Sequence, residues 1–432
     1  MARHSRRTFL KSAALGAGVC LLGYRTEAGE APPSEKLNLA VVGIGGRGAG
    51  NLGELPAKDV NIVALCDVDD GHAAQSFKRY PNATKFTDYR VMLDKAHKDF
   101  DAVLVATPDH THAVIGAAAL KAGKHLYCEK PLTHSVYEAR YLTDLAREKK
   151  LATQLGTQIH ALPNYRRTVE VVWSGAIGDI KEVHVWNPAR YAPGDRPTDT
   201  PPVPAGLNWD LWLGPAPERP YHPAYVPGKW RGWWDYGTGG MGDFFCHYVD
   251  LAYWALKLQY PLSVEAEGSP LHPDSCAQWI IAKYEFPARE NLPAVKLTWY
   301  DGGKQPTGIL PEPVLADWKA GVLFVGEKGM LLGDYNRHKL LPEDKFKDFK
   351  APEATIPNSI GHHAEWVKAC KTGSPTTCNF NYSGPLTEAA LLGIASYRSG
   401  ERFQWNAKDL KPVNATKAES YIRREYRKGW TL

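Results

Sequence analysis

The chain has 432 residues, 44% hydrophobic and 23% charged, with 39 Gly, 32 Pro, seven Cys, 14 Trp and 21 Tyr. These proportions suit a globular protein of two or three domains and exclude a disordered, collagen-like or polytopic membrane chain. The formal charge is +5, from 52 basic and 47 acidic residues. Residues 1–30 hold five of the bases (Arg3, Arg6, Arg7, Lys11, Arg25) and two acids (Glu27, Glu30), so the remainder carries 47 against 45, or +2. That near-neutral balance points to no nucleic acid or membrane partner.

The first element is an address. Ser5-Arg6-Arg7-Thr8-Phe9-Leu10-Lys11 precedes an apolar, Gly/Ala-rich run from Ser12 to Gly23, then small residues around Ala28 and Ala31. A charged start, a short apolar stretch and a small-residue end make a cleavable export signal over residues 1–30. The apolar run is shorter than the ~20 residues a bilayer span needs. The paired arginines with Phe9, Leu10 and Lys11 resemble the twin-arginine signal. That resemblance implies a protein exported to the periplasm already folded, often with its cofactor in place. The six later cysteines then fold in a reducing compartment, and Cys370 and Cys378 could pair after export.

Next comes an apolar strand from Leu37, ending in Gly43-Ile44-Gly45-Gly46-Arg47-Gly48 and opening a helix toward Leu55. A second strand, Val60–Cys66, ends at Asp67. Strand, glycine loop, helix, strand and acid form a dinucleotide fingerprint. The loop lets the backbone approach a pyrophosphate, and the helix start attracts its charge. Asp67 favours the ribose diol of NAD and repels the 2′-phosphate of NADP. Ala102–Ala106 is followed by Thr107-Pro108-Asp109-His110-Thr111-His112 and a helix to Ala122. Lys124–Cys128 leads into Glu129-Lys130-Pro131, a helix from about Ser135 to Lys150, and the strand Ala152–Leu155. Such alternation predicts a doubly wound parallel sheet, with Asp67, Thr107 and Lys130 beyond strand ends facing one crevice.

With Glu129-Lys130-Pro131 in view, the chain resembles the glucose–fructose oxidoreductase / inositol dehydrogenase (Gfo/Idh/MocA) family. Its motifs stand here as Glu129, Lys130 and Pro131; as Thr107, Pro108 and His112; and as Asp243 and His247. The resemblance implies an α/β protein: an N-terminal Rossmann domain (34–157) and a C-terminal α/β domain (158–432) on an open, mainly antiparallel sheet. It implies cofactor contacts from Gly43, Ile44, Gly45, Gly46, Arg47, Gly48, Asp67, Thr107, Pro108, His110, His112, Glu129 and Lys130, and catalysis by Lys130, Asp243 and His247. The family commonly has Gly two residues after the Asp; Phe245 stands there, expected to fill space beside the nicotinamide or substrate.

Asp243 and His247 are four apart and share one helix face. Imidazole suits a base for a hydroxyl proton, and an ammonium suits the developing alkoxide. No set of ligands at metal spacing stands out, so no metal is expected.

Residues 188–240 form an insertion rich in Pro, Trp and Tyr, including Trp209, Trp212, Trp230, Trp233 and Trp234. Aromatic faces suit the C–H faces of sugars, although such rings also staple long loops. His160, Arg190, Trp230, Arg231 and Trp234, with Asp243 and His247, are the expected substrate contacts. Beyond it, Leu262–Glu267, Ala277–Phe286, Ala294–Trp299 and Gly321–Val325 read as strands, Ile360–Cys370 and Pro385–Tyr397 as helices. The tail from Glu419 to Trp430 reads as a solvated closing segment.

The expectation is an exported, NAD-dependent oxidoreductase acting on a small-molecule carbohydrate, with tightly held cofactor and a homo-oligomeric (dimeric or tetrameric) state. The alternatives are a redox-neutral glycosidase, with His160 or Tyr248 as an extra base, and a catalytically silent sugar-binding protein.

Overall fold

The structure, a computed structural model, describes residues 36–432; the export signal expected in residues 1–30 lies outside the described residues. Six parallel strands form the first sheet: β1 (Leu37–Val42), β2 (Val60–Cys66), β3 (Thr84–Phe86), β4 (Ala102–Val105), β5 (His125–Cys128) and β6 (Thr153–Leu155). Their order is β3-β2-β1-β4-β5-β6. The connections carry α1 (Gly46–Glu54), α2 (Asp70–Arg79), α3 (Tyr89–Ala96), α4 (Asp109–Lys121) and α5 (Val136–Lys149). β1 and β4 are buried almost throughout, as strands covered on both faces must be. The helix starts are written locally. Asp69 accepts from the His72 amide, Asp88 from the Arg90 amide, and Ser135 with Glu138 closes a capping box on α5.

Strand register levels the carboxyl edge. Val42 pairs with Cys66 and with Val105, and Val105 pairs with Cys128. The next residues, Gly43, Asp67, Ala106-Thr107 and Glu129-Lys130, therefore form one crest. It spans the reversal of strand order between β1 and β4, where such sheets hold ligands.

The second sheet has nine strands: β7 (Ile180–Trp186), β8 (Ser263–Gly268), β9 (Ile280–Phe286), β10 (Val295–Tyr300), β11 (Gly321–Gly326), β12 (Gly329–Gly333), β13 (His338–Leu341), β14 (Phe403–Asn406) and β15 (Lys411–Val413). Their order is β13-β12-β11-β7-β10-β9-β8-β14-β15; β7 and β10 run parallel and the other pairs antiparallel. In β9 and β10 burial alternates, with Lys283, Glu285 and Lys296 outward. β7, at the centre, is buried from Val183 to Trp186 on both faces, which erases the alternation that marks a strand in sequence. α6 (Pro163–Trp173), α7 (Trp209–Leu213), α8 (Gly239–Leu256), α9 (Glu312–Asp317), α10 (His362–Thr372), α11 (Phe380–Ser399) and α12 (Thr416–Ile422) complete the chain.

α11 lies between the domains, packed on α5, on α8 and on β8. There Arg140 meets Glu388 through two bonds of 2.8 Å. Burial, against the pull of Arg140, raises the Glu388 carboxyl to about 7. The six cysteines of the described residues are free thiols, Cys370 and Cys378 included. Among the described residues no helix is long and apolar enough to cross a membrane.

The aromatic insertion supports itself. Trp209 stacks on Trp212 with centroids 4.6 Å apart, and Tyr225 meets Trp233 and Tyr236 edge-on at 5.3 Å. Arg196 lies over Trp233 and pairs with Asp235 and Asp274. These rings form a small core of their own, so most of the insertion's aromatic surface faces itself.

Candidate active site

A cavity of about 640 Å³ covers the crest of the first sheet. Gly43, Gly45, Gly46 and Arg47 line its middle. Strand order puts Asp67 toward the β2 side, with Tyr89 past β3 carrying Trp430 on its ring, and Lys130 toward the β5 side, with Phe244 beside it; His247, Trp230 and Arg231 also line the cavity.

The glycine loop is tight by necessity. Gly43 has φ +78°, and a Cβ there would lie 2.8 Å from the Ala106 carbonyl carbon. A Cβ on Gly48 would lie 1.8 Å from the Gly43 oxygen, which lets α1 sit against the loop. No side chain caps α1, so its first amides remain for an anion. The Asp67 carboxylate accepts from the Ile44 amide at 2.8 Å and the Asp69 amide at 3.1 Å. Burial outweighs those two amides and pushes its pKa up. A bare loop at a helix start, beside a strand-end carboxylate, fits the pyrophosphate and ribose of a dinucleotide.

Two neighbours act as braces. The Glu129 Oε1 accepts from Arg47 at 3.1 Å, Asn51 at 2.9 Å and Gln158 at 2.9 Å. The His112 nitrogens lie 2.9 and 2.8 Å from the carbonyls of Pro131 and Thr107 and tie those loops together.

At the β5 side, two domains contribute to one cluster. The Lys130 Nζ donates to the Asp243 carboxylate and, at 2.8 Å, to the Asp243 backbone oxygen. The other carboxylate oxygen accepts from the Tyr191 hydroxyl at 2.8 Å and lies 3.6 Å from Arg231. Burial works against the Asp243 charge, but Lys130 and Arg231 prevail and hold its pKa down at about 2.

His247 is one turn on. Its Nδ1 lies 3.2 Å from the Thr157 hydroxyl, which donates to the Cys246 carbonyl at 3.0 Å. A hydroxyl has one proton. With that proton on the carbonyl, Nδ1 carries hydrogen and donates to Thr157, leaving the Nε2 lone pair free. Burial, and then the Lys130 charge, lower the His247 pKa to about 3. Its imidazole is therefore neutral. Thr157, just past β6, has no motif to announce it in the sequence.

Several expected contacts fall elsewhere. The His110 nitrogens lie 3.3 and 2.9 Å from the Tyr236 and Trp212 carbonyls, so the ring pins the insertion and not the cofactor. Ile44 and Gly48 also lie off the cavity lining, the first buried and the second pressed against Gly43. His160 is 2% exposed, stacked on Trp254 and bound to both Asp250 oxygens at 2.9 and 3.0 Å. Asp250 also accepts from Tyr382 at 2.6 Å. With Cys378, His160 and Asp250 place possible metal-ligand atoms within 4.8 Å of one another, a grouping their distance in sequence hides. Arg190 is exposed and off the cavity, and Trp234 lines a different one.

Phe245 points away as well. It is fully buried against Tyr284 and Trp299, because two helical steps turn it from the Asp243 face. Phe244 lines the cavity instead, with its ring 5.6 Å from the Lys130 Nζ. The tail is not a solvated strap: Arg427 binds Asp210 and Gly214, and Trp430 reaches the lining under Arg90.

Residues 37–157 match the family model described as "Oxidoreductase family, NAD-binding Rossmann fold". Residues 171–290 match that described as "Oxidoreductase family, C-terminal alpha/beta domain". An inositol 2-dehydrogenase of Salmonella typhimurium is 29% identical over 152 residues, 34% of this chain and 45% of that protein. A levoglucosan dehydrogenase of Pseudarthrobacter phenanthrenivorans is 31% identical over 125 residues, 29% of this chain and 31% of that protein. The matches thus span less than half the length of these curated relatives. The WlbA dehydrogenase of Bordetella pertussis, solved with NADH and UDP-GlcNAcA, superposes with a TM-score of 0.59 at 19% identity, covering 85% of this chain and 98% of that one.

Proposed function

The chain belongs to the Gfo/Idh/MocA oxidoreductase family and its first domain binds NAD, and on that premise we propose that it is a dehydrogenase of a carbohydrate, interconverting a ring hydroxyl and a ketone. The observation that carries the reading is the meeting of Lys130 with Asp243 and His247 at the β5 side of the dinucleotide cavity. The names of the inositol and levoglucosan dehydrogenases support a polyhydroxylated ring as substrate.

NAD, when bound, supplies a nicotinamide that takes hydride from the carbinol carbon or returns it. The Gly43–Gly48 loop and Asp67 would hold its pyrophosphate and ribose. His247 Nε2 takes the hydroxyl proton, with Thr157 fixing the tautomer. A base held near 3 is weak, so it takes the proton only as the Lys130 ammonium acidifies the hydroxyl. Asp243 holds Lys130 in place and keeps the buried charge paired.

The same proposal includes twin-arginine export to the periplasm, supported by the motif in residues 5–11, and a cofactor retained through turnover. It includes a homo-oligomer, dimeric or tetrameric, for which the outward face of the nine-stranded sheet is the available surface. Elimination of an aglycone needs a further base, and the two residues expected for that role, His160 and Tyr248, are buried and off the cavity lining.

The test is direct. Purified protein is denatured and the released nucleotide identified by mass; native protein is then mixed with glucose, myo-inositol and simple glycosides without added NAD. Absorbance of reduced nicotinamide and a persistent keto-sugar are expected. Free sugar released from a glycoside would replace this reading with the glycosidase. Bound NAD that no sugar reduces would replace it with a silent binding protein.

A further inference from the structure

A second cavity, of about 260 Å³, borders residues 234–238, just before the start of α8. Its lining brings Arg398 from the end of α11 together with Trp234, Tyr421, Arg424 and His134. The Arg398 guanidinium lies over the rings of Trp234 and Tyr421, at 4.9 and 4.5 Å from their centroids. Two aromatic faces thus hold the planar group, and its donors point outward from its edge.

The edge has no partner. Among the described residues Arg398 makes no hydrogen bond and no ion pair. Arg424 differs, since it is bound to Glu138 at 2.7 Å and to the His110 carbonyl. Of the acids on the lining, Asp235 is taken by Arg196 and Arg219, and Glu425 is exposed and pairs with neither arginine. Burial depresses the Arg398 pKa.

Trp234 is 5% exposed and gives this guanidinium a buried ring to rest on, while its indole Nε1 is sealed from the cavity. The group that lines the cavity and lacks an acceptor oxygen is therefore the Arg398 guanidinium.

We propose that this cavity binds a small oxyanion, a carboxylate or phosphate group carried on a small molecule, held by the edge of Arg398 as it lies between the rings of Trp234 and Tyr421. A guanidinium fork matches the paired oxygens of either group. The site is separate from the dinucleotide cavity, and it stands whether or not the substrate is a sugar.

The experiment is calorimetric titration of the NAD-loaded protein with sodium phosphate and, separately, sodium acetate, at constant ionic strength. NAD occupies the other anion-binding loop throughout. Saturable one-site binding of at least one anion is expected. Arg398→Met should weaken it about tenfold or more, with bound NAD content unchanged. Arg398→Lys, which keeps the charge and loses the fork, should fall between the two. Arg398→Gln, which keeps a polar stem and loses the charge, should weaken binding as much as Arg398→Met and carries the test should that variant fail to fold. No saturable binding of either anion, or equal binding by native, Arg398→Lys and Arg398→Gln proteins, overturns the proposal.

Discussion

The pH dependence of turnover tests the assignment of His247 as base. Free imidazole titrates at 6.5, and burial with the Lys130 charge holds His247 at about 3, against the smaller pull of Asp243. A base at 6.5 would be about 76% unprotonated at pH 7 and about 3% at pH 5, so kcat/KM would fall about 25-fold between them. A base at about 3 stays about 99% unprotonated at pH 5, and kcat/KM should fall less than about twofold. The assay is initial-rate reduction of bound nicotinamide by an active sugar, from pH 5 to pH 8. Stability must be followed in parallel. The unfolded chain binds more protons than the folded one between 6.5 and about 3, so this histidine's contribution is complete above 6.5 and fades as pH falls. At pH 5 that amounts to at most about 2 kcal/mol, which a melting curve at each pH will register. A tenfold or larger drop in kcat/KM by pH 5, with the protein still folded, would refute the reasoning. The base would then be another group, or His247 would be far less desolvated than its surroundings indicate.

The remaining expectations concern single residues. Lys130→Met should leave NAD bound, since the glycine loop and Asp67 are untouched, while kcat falls roughly 10²–10³-fold. The same variant leaves Asp243 without its closest cation and should cost roughly 3–5 kcal/mol in denaturant unfolding. Thr157→Val removes the hydroxyl that fixes the imidazole; kcat should drop about tenfold with KM nearly unchanged, and the drop should persist across the pH range. Trp430→Ala opens the β2 side of the cavity and should weaken NAD binding about tenfold in a fluorescence titration, with kcat at saturating NAD retained.

The first domain was legible because its signals are local. A strand, a glycine loop and a helix sit within eighteen residues, from Leu37 to Glu54, and level strand ends then place Asp67 and Lys130 on one crest. What sequence does not carry is the direction of a side chain. His110 and His160 have the residue type of site histidines, yet both are consumed by buried hydrogen bonds that fix loops and helices. Phe244 and Phe245 are adjacent and alike; helix phase alone gives one to the cavity and the other to the core. The Trp count announced an aromatic surface, and most of that surface proved to be packing within the insertion. Trp430 meets Arg90 across 340 residues of chain, a distance over which no sequence pattern operates.

The Lys130–Asp243 pair explains why the site could be named in sequence but not assembled from it. Its partners come from different domains, 113 residues apart, and they meet with both side chains nearly buried. A buried ion pair gives back little net stability, since desolvation offsets the attraction. Packing between α5 and α11, with the Arg140–Glu388 bridge, already holds the domains together without it. The pair therefore contributes least as a fastener. What it does accomplish is to fix an ammonium at the edge of the dinucleotide cavity, one turn from a neutral imidazole. An alkoxide developing there meets a positive charge and a proton acceptor already in position, and little has to reorganise as it forms.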